Sequence, residues 1–213
     1  MTSNIMDEYL APTYFIDFDN PVIPSKARDI VKGIGQADVS RMAQRLFYFV
    51  RDQIPYKVYW GLPSRTYLRA STTLSRGYGF CIPKATLLVA LARSLKIPAR
   101  LHFADIINHL ASENLKKVMG TKLFVYHGYA ELFMNDTWLK VNPAFDLALT
   151  EDKGYFPVDF DGTKDAVFQS TDKLGNKHFE YVKDHGTFAD VPYKQIMDAF
   201  IETYGNTWNP GQR

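Results

Sequence analysis

The chain has 213 residues, 25 basic against 23 acidic, for a formal net charge of +2. That balance excludes the dense positive surface of a nucleic-acid binder, and a hydrophobic share of 46% excludes a disordered chain. The single cysteine, Cys81, excludes an intrachain disulfide, and the longest apolar run, residues 87–92, is far too short to span a bilayer.

Residues 1–24 are acidic, aromatic and bounded by proline, which reads as an extended arm or an edge strand. The first twenty contain no basic stretch followed by an apolar one, so the expectation is no secretory leader and a soluble cytoplasmic protein, away from the membrane. From Asp38 the apolar residues Val39, Met42, Ala43, Leu46, Phe47, Val50 and Ile54 fall at helical spacing. Asp38 or Ser40 is the expected cap and Pro55 the stop. Residues 55–80 carry Gly61, Pro63, Gly77 and Gly79 and read as a long connection; irregular segments of that length are uncommon unless they serve a site.

Residues 81–96 predict a second helix, apolar nearly all round and therefore central and buried. Pro83 is tolerable only in its first turn, which puts Cys81 at the helix N-terminus. Strands are expected at 99–106, 121–134 and 137–142. His109 reads as opening a helix between the first two. A C-terminal hairpin is expected from 164–170 and 177–183, turning at Leu174-Gly175-Asn176, then a helix over 191–204 capped by Asp190 with Pro192 in its first turn. Helices first and consecutive strands after predict an α+β fold with an antiparallel sheet. The expected organisation is one domain over 1–213: a catalytic core at about 38–146, the arm at 1–24, and the hairpin and helix at 150–205.

Cys81 follows the Gly-rich approach Arg76-Gly77-Tyr78-Gly79-Phe80, which lets backbone come close to a ligand. The free N–H groups and dipole of a helix N-terminus stabilise a thiolate, so its pKa is expected below the free value of about 8.5. One of those N–H groups would serve as half of an oxyanion hole. A nucleophilic cysteine needs a base, and five histidines compete: His102, His109, His127, His178 and His185. With Asn135-Asp136 as a two-residue turn, Glu131 faces Lys140 and Phe133 faces Trp138, both favourable cross-strand pairs. His127 then faces Ala144, with Asn142 as its diagonal neighbour on the same face. Nucleophile, base and orienting amide are the parts of a cysteine hydrolase site. A three-residue loop would send Asn142 to the other face, and Asp146 is the rival orienter. His185 is the best rival base. His102, in an alternating strand, His109 and His178 are read as structural. The Cys, His, Asp and Glu spacings suggest no zinc site and no metal.

The segment 72–100, in which GYGFC opens a helix ending SLKIPAR, resembles the nucleophile region of the transglutaminase-like superfamily, as does the strand pair HGYAELFMNDTWLKVNPAF. FYFVRDQIPY at 47–56 is similar to the helix before that family's active site. The likeness covers about residues 45–146. It implies a papain-like core, with the cysteine-bearing helix packed on an antiparallel sheet. It assigns Cys81 as nucleophile, His127 as base and Asn142 as third member where the family usually has Asp. Gly128-Tyr129 stands where Ala-Trp is usual. The family supplies a further oxyanion donor from the segment before the cysteine, for which Tyr56, Tyr59 and Trp60 are the candidates. The implied activity is attack on an amide or acyl carbonyl through a thioester, resolved by water (peptidase or amidase) or by an amine (transglutaminase or acyltransferase). A peptide, protein or small amide would be the substrate, with no cofactor. The alternatives are an acyl transferase of the arylamine N-acetyltransferase kind and a non-catalytic binding module on the same fold.

Overall fold

A computed structural model describes residues 6–59 and 61–205. After a short 3-10 turn at Asp7–Tyr9, helix α1 spans Val22–Ile30 and α2 spans Val39–Gln53. Asp38 caps α2 by accepting from the Arg41 N–H, and the apolar stripe of α2 is buried. Helix α3 (Ala70–Arg76) ends at Gly77, whose φ of +75° is the left-handed conformation glycine adopts without strain. Helix α4 (Cys81–Ser94) buries every residue from Ile82 to Arg93. Strand β1 (Ala99–Asn108), helix α5 (Glu113–Met119), strands β2 (Leu123–Met134) and β3 (Thr137–Val141), helix α6 (Leu147–Lys153), strand β4 (Phe179–Phe188) and helix α7 (Tyr193–Tyr204) follow.

The four strands form one antiparallel sheet in the order β3-β2-β1-β4. The β2–β3 register pairs Glu131 with Lys140 and Phe133 with Trp138, the expected pairing. Asn135 and Asp136 both have positive φ, 50° and 60°, which suits a two-residue turn to the strand twist. Helix α4 lies on the face that carries Leu101, Phe103, Ala130 and Leu132, and one buried apolar cluster runs from Phe15 to Tyr204.

Three expectations are corrected. The first segment is no edge strand: it is bends and a helix, with Phe15 and Ile16 buried in the core and the Phe15 carbonyl bonded to the Ala70 N–H. Of its aromatics Phe15 is in the core and Phe18 packs against it, while Tyr14 is exposed. The C-terminal hairpin is reduced to a single antiparallel bridge, Thr171 to Lys177, around the expected turn. Residues 164–170 hold only an isolated bridge, Ala166 to Val141, and the segment 177–183 mostly joins β4, which pairs with β1. Asp172 folds the intervening chain into a loop by accepting from the N–H groups of Leu174 and Asn176. Finally, α7 starts at Tyr193 behind Pro192, with no side-chain cap. Helix α5 is the helix expected between the first two strands, though it starts at Glu113 behind a Ser112 cap and not at His109. Helix α3 lay in the segment read as a connection, and α1 and α6 were not expected, each being nine residues or fewer, too short for a clear periodicity.

Candidate active site

Cys81 is the first residue of α4, and the residue before it, Phe80, makes no capping bond. The first N–H groups of the helix are thus left over. Those of Cys81 and Ile82 point at the sulfur, together with the N–H of Gly128 on β2. Gly128 suits this approach: a β-carbon there would lie 3.0 Å from the Phe103 ring and 3.4 Å from the Ile82 Cα, so a neighbour would have to give way by a few tenths of an ångström. Gly79 has a matching role, since its β-carbon would lie 3.1 Å from Pro83 Cγ in the first turn of α4.

Burial pushes the Cys81 thiol up to about 11, against the downward pull of the three N–H groups. The expected depression is therefore reversed. A helix end contributes about 0.3–1 kcal/mol, up to ~2, whereas burial of a charge shifts a pKa by as much as about 3–5 units. The His127 ring is buried, where Cys81 is partly so, and loss of solvent drives it down to about 3, partly offset by its bond to Asn142. The resting pair is a neutral thiol and a neutral imidazole.

Asn142, fully buried beyond the end of β3, sets its Nδ2 3.0 Å from His127 Nε2. Its Oδ1 accepts from the Ala144 N–H at 3.1 Å. With the oxygen held by Ala144, the amide nitrogen donates to Nε2, and the proton of the neutral ring sits on Nδ1. The Tyr181 hydroxyl, reaching in from β4, accepts from the Asn142 amide and from the Phe168 N–H. Asp146 is placed differently. It caps α6 through Leu149, and its second oxygen accepts from the Tyr56 N–H at 2.7 Å. It struts the cleft wall rather than touching the imidazole.

The strand carrying His127 is irregular just before it. Asp105 on β1 faces two residues of β2, Val125 and Tyr126, and Tyr126 has a φ of +52°. On the other side of β1, His185 is an extra residue of β4. One carboxylate oxygen of Asp105 accepts from both, the Tyr126 N–H at 2.9 Å and His185 Nε2 at 2.7 Å, and the two rings stack with centroids 3.9 Å apart. Bulges re-aim side chains beside functional sites; this one lies directly before His127. The remaining histidines are held elsewhere. His102 lies between Glu131 and Asp184, at 2.6 and 2.7 Å, His109 bonds Glu180, and His178 is packed between Tyr155 and Phe179.

Cys81 and His127 open onto one cavity. Tyr56 and Tyr59 line it, from the connection before α4, and so do Phe200 and Tyr204 of α7. Trp60 lies outside the described residues. Gly128, Tyr181 and the Asp105 bulge escaped sequence reasoning because each acts through the backbone or from a strand distant in sequence. Only Gly128, the departure from the usual alanine, left a visible signal.

The sequence model of the transglutaminase-like superfamily matches residues 26–143, over half of the chain. No curated protein matches it. Among solved structures it resembles a candidate cysteine protease from Cytophaga hutchinsonii (19% identity, 66% of this chain and 42% of that one, TM-score 0.51). Two others are a candidate protease from Parabacteroides distasonis (11%, 64% and 25%, TM-score 0.41) and the periplasmic domain of TgpA from Pseudomonas aeruginosa (18%, 63% and 46%, TM-score 0.43). The matched region spans less than half the length of each of these three.

Proposed function

The chain belongs to the transglutaminase-like superfamily, and on that premise we propose that it is a cysteine-nucleophile enzyme acting on an amide or acyl carbonyl through Cys81, His127 and Asn142. The observation that carries this reading is the contact between the buried Asn142 amide and His127 Nε2, on a ring that shares its cavity with the Cys81 thiol. For His127 to act as base, the ring proton sits on Nε2 and Asn142 turns its oxygen to it, exchanging the Ala144 bond for this one. The nitrogen facing away from Asn142 then takes the thiol proton as sulfur bonds to the carbonyl carbon. His127 passes that proton to the leaving nitrogen or oxygen as its bond to carbon breaks, and a thioester remains. Water or an amine, deprotonated by His127, attacks the thioester; the carbon–sulfur bond breaks and the thiolate recovers its proton.

The tetrahedral oxyanion is received by the N–H of Cys81 at the uncapped helix start and by the Tyr56 hydroxyl. Tyr56 is favoured over Tyr59 because its hydroxyl, raised in pKa first by burial, also feels the charge of the Cys81 sulfur. The test is a burst experiment with 4-nitrophenyl acetate. A burst of nitrophenol with an acetyl group on Cys81 is expected, absent in Cys81→Ala and slowed about 10²–10⁴-fold in His127→Ala. A burst that survives Cys81→Ala, or an acetyl group found only on other residues, rejects the reading.

A further inference from the structure

The cavity at Cys81 is unusual in having no charged wall. Among the described residues that line it there is no Asp, Glu, Lys or Arg. Beyond Cys81, His127, Tyr56, Tyr59 and Tyr126, whose hydroxyl lies 3.5 Å from Gln195 Oε1, the walls are mostly aliphatic or aromatic, among them Val58, Phe80, Met119, Phe124 and Phe200. The polar end of Tyr204 is already engaged, bonded to the Val125 N–H at 2.9 Å and the Leu123 carbonyl at 3.3 Å. The space inside is about 50 Å³, a third of the ~150 Å³ of a cavity that takes a benzene ring. That suits a small aliphatic group and leaves too little room for an aromatic ring.

We propose that this cavity receives the acyl half of the substrate, and that the group next to the attacked carbonyl is a compact, uncharged aliphatic side chain no larger than leucine. The proposal rests on the cysteine-enzyme reading above. The assignment to the acyl half follows from the chemistry. The acyl group stays bonded to the sulfur in the thioester, and the sulfur is part of the cavity wall. The leaving group must depart and be replaced by water or an amine, so it needs the open side. A charged side chain would enter without a counter-charge, and burying an unpaired charge is strongly unfavourable.

The test measures single-turnover acylation of Cys81, read by mass as the thioester, with 4-nitrophenyl esters of N-acetyl glycine, leucine, phenylalanine, glutamate and lysine. Leucine should acylate at least tenfold faster than glycine, since each methylene matched to a hydrophobic pocket is worth about 10–200-fold. Phenylalanine should fall below leucine, and glutamate and lysine at or below glycine. Val58→Trp, which narrows the cavity, should shrink the leucine-to-glycine ratio, and Val58→Ala should raise phenylalanine relative to leucine. Glutamate or lysine outpacing leucine, equal rates across the panel, or phenylalanine ahead of leucine in the unmodified protein would overturn the assignment while leaving the enzyme reading intact. Failure of every ester, 4-nitrophenyl acetate included, to acylate Cys81 in the folded protein would reject the enzyme reading and this inference with it.

Discussion

At Asn142 a single amide answers to three neighbours. Ala144 donates to its oxygen, while its nitrogen faces His127 Nε2 and the Tyr181 hydroxyl. A carboxylate at this position would have no N–H to offer. In Asn142→Asp one oxygen keeps the Ala144 bond and the other accepts from Nε2–H, so the imidazolium is favoured. His127 should rise from about 3, and through it the thiol should fall from about 11. An opposite charge nearby shifts a pKa by about 1–3 units. The measurement is the rate of Cys81 alkylation by iodoacetamide against pH. In the wild type it should climb with pH toward about 11, because only the thiolate reacts. In Asn142→Asp the midpoint should move to lower pH and the rate at pH 7 should increase tenfold or more. Asn142→Ala should keep the wild-type midpoint and slow acylation by the nitrophenyl ester, by less than His127→Ala does. An unmoved midpoint in the aspartate variant would mean that the residue does not govern the ring's protonation.

Helix α4 carries, one turn after the nucleophile, a lysine with no exposed surface. Lys84 donates to the Arg51 carbonyl at 2.9 Å, and burial lowers its pKa to about 7, against the upward pull of Asp146 and Asp52. An unfolded lysine titrates near 10.4. Between about pH 7 and 10 the unfolded chain therefore holds more protons than the folded one, and stability rises with pH. The urea midpoint of the wild type should increase across that window, and Lys84→Met should flatten the rise. A slope unchanged by the substitution would place its origin elsewhere. The bulge at Asp105 makes a second prediction for this scale. Asp105→Leu removes the acceptor for Tyr126 and His185, so the left-handed Tyr126 should relax and His127 lose its aim. Acylation of Cys81 should drop at least tenfold, whereas Asp105→Asn, which retains an oxygen there, should recover most of it. A residue that only supported the fold would lower the urea midpoint in step with the rate; here the rate should fall in protein that still unfolds cooperatively.

Across the whole molecule, the N-terminal segment is tied to the catalytic helix. The Arg93 guanidinium, fully buried at the end of α4, donates to the carbonyls of Ala11, Ala99 and Ala189 at 2.7–2.9 Å, joining the segment, β1 and the approach to α7. Phe15 and Ile16 of the same segment are buried in the core. Removing residues 1–20 should abolish cooperative unfolding, not merely alter the cleft. Arg93→Ala leaves three carbonyls without their donor, each at about 1–3 kcal/mol when buried, and should lower stability by about 3 kcal/mol or more in a denaturant titration. A truncated protein that unfolds with the wild-type midpoint would show that the segment is peripheral after all.

The sequence alone determined the features that depend on neighbours along the chain. The apolar periodicity of 39–54, Pro83 in the first turn of the cysteine helix, and the Asn135-Asp136 turn that sets the β2–β3 register are all local. A two-residue turn leaves one way to pair its strands, which is why the residue beside His127 was legible. Tertiary structure decided what rests on long-range closure. Nothing in the spacing of 177–188 says that this strand joins the far edge of β1, bringing Tyr181 to Asn142 and His185 to Tyr126. Nor does the apolar face of α7 announce that Phe200 and Tyr204 will wall the cavity. The protonation of the site was settled at the same level: the helix end favours a thiolate through local N–H groups, but solvent exclusion by the packed chain is the larger effect and reverses the sign.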